Sequence, residues 1–222
     1  RLASEAALRS GAGLVSVATR TANVATILEG RPELMCKGVE TDADIDTLLA
    51  RANVVAVGPG LGQDEWAQRV FRRALAANKP LVLDADALNL LAAAPERRDN
   101  WMLTPHPGEA GRLLGIAAAD VQADRLGSVA RLTAKYGGTI LLSTPTFLRA
   151  YTRKVPPDQF KTLRWLLTGA EKLPREVADS FREKFGVEPM EGYGCTELAP
   201  VAAVNVPDFV SADGRQIGNK PG

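Results

Sequence analysis

Along the first 142 residues of this chain, short runs of valine, leucine and alanine alternate with longer amphipathic stretches, and this alternation constrains the fold more than any other feature. A strand buried on both faces reads as a continuous apolar run, and parallel neighbours need a long crossover, usually a helix, between them. Residues 14–19, 54–57, 81–83 and 139–142 read as such strands, with Met102-Leu103 a shorter one. The spacing predicts helices over 4–10, 44–51, 64–78, 87–93, 108–114 and 119–135, with Gly11 closing the first and Asp64 capping the third. The class that follows is α/β: an open, mostly parallel sheet with flanking helices.

Beyond Ser143 the punctuation changes. Pro145, Pro156, Pro157, Pro174, Pro189, Pro200 and Pro207 arrive in a dense series. Helices are predicted over 146–154 and 175–185, and strands over 163–167 and 201–205. A length of 222 residues suits one sizeable domain or two small ones.

Charge excludes several functions. The 27 basic and 26 acidic residues leave a net charge of +1, which gives no footprint for nucleic acid or an anionic membrane. The two cysteines, Cys36 and Cys195, lie far apart without a Cys-x-x-Cys spacing, so neither a disulfide framework nor a zinc site is expected. A reducing cytoplasm is the expected compartment. Every apolar run is too short to cross a bilayer, so no transmembrane segment is expected. No basic-then-apolar leader opens the chain, and both ends, Arg1 and Gly222, read as cuts.

Three loops carry the upstream chemistry, each after a candidate strand, where ligand crevices of open α/β sheets form. In Gly58-Pro59-Gly60-Leu61-Gly62 the missing Cβ atoms let a ligand approach the backbone; a purely steric turn explains the glycines equally well. In Asp84-Ala85-Asp86-Ala87-Leu88-Asn89 the two aspartates suit a metal or sugar-hydroxyl contact. The favoured alternative makes Asp84 a turn residue and Asp86 the N-cap of the next helix. Thr104-Pro105-His106-Pro107-Gly108-Glu109 holds the one histidine of the chain between two prolines, which present its ring rigidly and favour a binding role over proton transfer.

These motifs, preceded by Ala6-Ala7-Leu8-Arg9-Ser10-Gly11-Ala12-Gly13-Leu14-Val15, resemble the ADP/ATP-dependent NAD(P)H-hydrate dehydratase family over residues 1–142. The resemblance implies a ribokinase-like fold and a carbon–oxygen lyase. Its reaction is nucleotide-driven dehydration that returns hydrated NADH or NADPH to the working cofactor, with ATP or ADP and Mg²⁺ as cofactors. It implies substrate binding at Gly58, Gly60, Gly62 and His106. Where the family carries Lys-Gly-x-Gly-Thr, Ser143-Thr144-Pro145-Thr146 stands, and the later Gly-x-Gly-Asp is absent, so no catalytic base is assigned.

Two further turns lie downstream, Gly169-Ala170-Glu171 and Gly192-Tyr193-Gly194-Cys195-Thr196-Glu197. A hydroxyl and a carboxylate beside glycines suit a phosphate and its Mg²⁺, although either string alone is more often an ordinary turn. With Thr144-Pro145-Thr146-Phe147-Leu148 and Gly218-Asn219-Lys220-Pro221-Gly222, they resemble the adenylate-forming acyl ligase superfamily, in its acyl-carrier-protein synthetase form, over residues 139–222. That resemblance implies AMP contacts at Gly169, Ala170, Glu171 and Thr196 and a metal contact at Glu197. The family's Lys-bearing phosphate loop, ribose-binding Asp and catalytic Lys have no counterpart here.

The expected domains are therefore 1–142 and 143–222, joined at a strand that either family can supply. Three functions follow: a dehydratase, an acyl-adenylating ligase fragment, or an inactive chimera that at most binds a nucleotide. Small-molecule nucleotides are the expected partners, with self-association through uncovered sheet edges.

Overall fold

In the computed structural model, described for residues 1–195, 197, 201–205, 209–210 and 216–217, the chain divides into two compact units, Arg1–Leu113 and Leu114–Gly222. The first opens with α1 (Leu2–Arg9), β1 (Ser16–Thr19), α2 (Val24–Leu28), β2 (Met35–Gly38) and α3 (Asp42–Arg51). It continues through β3 (Val55–Val57), α4 (Glu65–Ala76), β4 (Leu81–Leu83), α5 (Ala85–Ala93), β5 (Trp101–Leu103) and α6 (Pro107–Leu114). Strands β1 and β2 pair in parallel, and β3, β4 and β5 form a second parallel sheet in sequence order.

Helix α4 shows why these segments fold as they do. Its buried residues Ala67, Val70, Phe71, Ala74 and Leu75 recur at helical spacing and form one apolar stripe. Asp64 caps it as expected, accepting from the Ala67 N–H at 3.1 Å, and pairs through both oxygens with Arg20 at 2.8 and 2.6 Å. Val70 joins Val39, Ile45 and Leu49 in a core cluster. Leu81 and Leu83 of β4 and Leu88 and Leu91 of α5 are buried as well.

Parallel strands β6 (Ile140–Ser143), β7 (Trp165–Thr168) and β8 (Pro189–Tyr193) build the second unit, with a short antiparallel β9 (Ala203–Val204) at the edge. Its helices are α7 (Ala118–Ala123), α8 (Arg125–Tyr136), α9 (Pro145–Lys154) and α10 (Arg175–Phe185). Strands β10 (Phe209–Val210) and β11 (Gln216–Ile217) pair antiparallel. An aromatic group fills the core: Phe160 lies 5.4 Å from Tyr151, 5.1 Å from Phe185 and 6.4 Å from Phe181, centroid to centroid.

The β3–β5 and β6–β7 strands bury one face and leave apolar side chains exposed on the other. Met102 is 60% exposed beside Val82 and the exposed Ala56, and Leu142 is 72% exposed next to Leu167, with Ile140 and Trp165 one step along the same face. The apolar runs predict fully buried strands, and the structure gives them the one-sided burial of a half-covered sheet.

Other differences have local causes. The single helix expected over 119–135 is two, because Asp124, at φ −135° and ψ 70°, breaks the run and accepts from the Gly127 N–H to start α8. Strand β2 was not expected, since Met35-Cys36-Lys37-Gly38 lacks an apolar run and alternates between exposed and half-buried positions. Strand β8 opens on a proline and carries Glu191 and Gly192, which hides it from an apolar-run criterion. The packing boundary at Leu113 and Leu114 lies upstream of the motif boundary at Leu142. Helix α8 and strand β6, which lie upstream of the expected boundary, therefore pack with the downstream unit.

Candidate functional site

In the first unit, β3, β4 and β5 end level, with Val57, Leu83 and Leu103 as register partners. The Gly58 loop, the Asp84 turn and the His106 loop therefore leave one carboxyl edge side by side. Gly58 sits at φ +130°, where an added Cβ would overlap the Asp84 carbonyl oxygen. Gly60 and Gly62 also have positive φ, +69° and +79°, but an added Cβ at either would meet nothing within 4 Å. Gly58 is thus needed for packing, and the other two leave open space on the side where a Cβ would stand.

The Asp84 turn departs from the expected capping. Ala85 adopts φ +47°, a left-handed conformation that residues with a Cβ rarely take. Asp84 consequently occupies the N-cap position of α5, without a side-chain cap bond, and Asp86 lies inside the first turn. Asp86 accepts from the Gly62 N–H at 2.9 Å and from the Asn89 amide at 3.4 Å. Asn89 in turn accepts from Arg112 at 3.0 Å. Asp86 tethers the glycine loop rather than capping its own helix.

Magnesium needs carboxylate oxygens free to turn towards it. Asp86 has both oxygens facing N–H donors, and among the described residues no three or more His, Cys, Asp or Glu side chains group so as to hold a metal ion.

His106 is held from two sides while its ring stays 64% exposed. The Gly108 N–H donates to Nδ1 at 2.9 Å, which leaves the ring proton on Nε2, 3.1 Å from Glu109 Oε1. Glu109 is only 5% exposed, and its second oxygen accepts the His106 backbone N–H at 2.9 Å. One buried carboxylate thereby fixes the loop backbone and the tautomer together. With both nitrogens engaged, the ring can stack against or cover a ligand without exchanging a proton. Glu109, Asn89 and Arg112 are not among the site residues that the sequence predicts. The three-residue spacing of His106 and Glu109, which places a carboxylate back on the N-terminal N–H, was the signal for the first. The other two depend on tertiary partners.

The downstream site lies in the second unit. Ala170, at φ +68°, turns the chain after β7, and Glu171 accepts from the Thr146 hydroxyl at 2.8 Å. A cavity of about 510 Å³ opens there, lined among others by Ala170, Glu171, Glu191, Tyr193, Gly194 and Asn205. Glu191 accepts from the Leu173 N–H at 3.0 Å, and Tyr193 is exposed. Gly169 packs closely, since an added Cβ would come within 3.3 Å of the Gly192 carbonyl oxygen. Glu197 is exposed, and its own backbone N–H, followed by the Cys195 side chain, holds its carboxyl below the usual range. Thr196 and residues 218–222, expected at this site, lie outside the described residues.

A family model described as NAD(P)H-hydrate dehydratase matches residues 1–146. The chain belongs to that family. A second model, described as AMP-binding enzyme, matches residues 109–219, so both families claim the segment that holds α8 and β6. Among relatives of the dehydratase family, the bifunctional NAD(P)H-hydrate repair enzyme Nnr of Coxiella burnetii is 51% identical over 142 residues, covering 64% of this chain and 29% of the relative. A solved ribokinase-like superfamily protein from Enterococcus faecalis is 30% identical, with a TM-score of 0.56 over 63% of this chain and 50% of that one. The ADP/ATP-dependent NAD(P)H-hydrate dehydratase of Bacillus subtilis, co-crystallised with ATP and Mg²⁺, is 29% identical, with a TM-score of 0.50 over 63% of this chain and 52% of its own. The chain spans less than a third of that curated relative and about half of each solved one. These matches support an α/β fold with ribokinase-like neighbours. No helix among the described residues is long and apolar enough to cross a membrane.

Proposed function

We propose that the first unit binds the hydrate of NADH or NADPH, as part of an ATP- or ADP-dependent dehydratase that repairs the damaged cofactor in the cytoplasm. The observation that carries this reading is the meeting of three motif loops on one sheet edge, with open space beside Gly60 and Gly62 and an exposed, fixed imidazole at His106. A bound nucleoside phosphate would supply the phosphoryl group that converts the substrate's hydroxyl into a leaving group. The residues here bind and orient: the glycine backbone admits the dinucleotide, and His106 covers it from the neighbouring loop.

His106→Ala is expected to weaken binding of hydrated NADPH about tenfold, the loss of one well-placed contact of about 1.4 kcal/mol. Calorimetric titration of the chain measures it, and an unchanged affinity would remove His106 from the site. Recovery of NADH from its hydrate on adding ATP tests the full activity; binding without turnover would leave a nucleotide-binding chimera. Association of copies through uncovered sheet edges belongs to the same reading, and a sharp monomer boundary in sedimentation would rule it out.

The cavity beside Ala170 and Tyr193 supports a second reading, an adenylate site in the second unit. There Gly169, Ala170 and Glu171 would lie against the base, with Thr196 and Glu197 towards phosphate and Mg²⁺. Glu197→Ala is expected to weaken AMP binding in the presence of Mg²⁺ and to leave it unchanged without the ion. Equal affinities under both conditions would exclude a metal role for Glu197.

A further inference from the structure

Across the motif segments 58–62, 84–89 and 104–109 and the turn of α6 that follows, Arg112 is the one lysine or arginine, set against three carboxylates, Asp84, Asp86 and Glu109. A dinucleotide carries its negative charge on the pyrophosphate, which carboxylates repel and a guanidinium fork attracts. Arg112 is exposed and donates from Nη1 to the Asn89 side-chain oxygen at 3.0 Å. That anchor uses one of the two terminal nitrogens of an exposed guanidinium. The anchor is itself held: the Asn89 amide donates to Asp86 at 3.4 Å, and the second Asp86 oxygen accepts the Gly62 N–H at 2.9 Å. A chain of three hydrogen bonds thus ties this cation to the glycine loop.

We propose that Arg112 contacts the phosphates of the dinucleotide, and that Asp86 and Asn89 are positioning residues that hold it in register with the glycine loop. This rests on the reading of the first unit as a dinucleotide site. Asn89 can satisfy Arg112 with its oxygen only while its NH₂ faces an acceptor, and the Asp86 carboxylate is that acceptor. The order of donors and acceptors from Gly62 to Arg112 is therefore fixed by the identity of residue 86.

The test is titration of the full chain with hydrated NADPH at low and high salt. Arg112→Gln is expected to lower affinity about tenfold at low salt and less at high salt, since an exposed ion pair is screened. Asp86→Asn keeps an oxygen for the Gly62 N–H but presents an NH₂ to the Asn89 NH₂, which turns Asn89 over and releases Arg112. Its affinity should fall nearly as far. The double variant Asp86→Asn with Asn89→Asp restores every donor–acceptor pair, with a carboxylate now facing Arg112, and is expected to bind within about twofold of the parent chain. Rescue by the swapped pair is a result that a purely structural role for Asp86 does not give. A parent chain that binds no hydrated NADPH overturns the dinucleotide reading and this inference with it. A parent that binds while Arg112→Gln binds equally well overturns this inference alone, and a double variant as weak as Asp86→Asn overturns the positioning role.

Discussion

Gly58→Ala is expected to unfold the β3–β5 sheet region under conditions where the parent chain is folded. The position combines two penalties. Its φ of +130° lies in a region that only glycine occupies comfortably, and an added Cβ would overlap the Asp84 carbonyl oxygen while reaching 3.0 Å from the Ala87 Cβ. Neither neighbour can move cheaply. The Asp84 carbonyl accepts the Ala87 N–H at 3.1 Å, and Ala87 is fully buried at the start of α5. Strain of this kind costs about 1–3 kcal/mol by conformation alone, and the overlap adds to it, in a class of molecule stable by only about 5–15 kcal/mol. Gly60→Ala is the control: also at positive φ, but with open space around it, it should lose about 1 kcal/mol. Hydrogen exchange of the β3 and β4 amides measures both, and equal losses at the two glycines would show that the close approach to Asp84 does not hold the loop.

Phe160→Ala should have an effect of similar size in the second unit. Phe160 is 1% exposed and meets Tyr151 edge-on, with Phe181 and Phe185 tilted beside it. Truncation removes the ring from the middle of an aromatic cluster that cannot close over the gap, which costs about 3–5 kcal/mol. Phe160→Leu fills part of the volume and should lose markedly less. Exchange protection at β6 and β7 reads out the difference. Identical behaviour of the alanine and leucine variants would mean that the cavity relaxes fully.

Much of this architecture can be read from the chain because its helices are strongly periodic. Residues 175–185, expected as a helix, form α10 over that span, and the run 81–83 is β4. The carboxyl-edge placement of the three upstream loops also follows from the pattern, since each comes directly after an apolar run. The half-covered sheets do not follow, because a run such as Ile140-Leu141-Leu142 is apolar on both faces whether or not a helix covers each. Nor does the role of Asp86. Its sequence context reads as a cap, and only the left-handed turn at Ala85 directs its carboxylate towards Gly62. Arg112 and Asn89 meet across 23 positions, beyond the reach of any local rule.

The fixed tautomer at His106 has a practical consequence. Because the chain has one histidine, a nitrogen-labelled sample contains a single imidazole pair, and the Gly108 N–H and Glu109 make its two nitrogens inequivalent from the outset. The ring is thus a built-in magnetic reporter at the mouth of the upstream loops, where ligand occupancy can be followed without attaching a label.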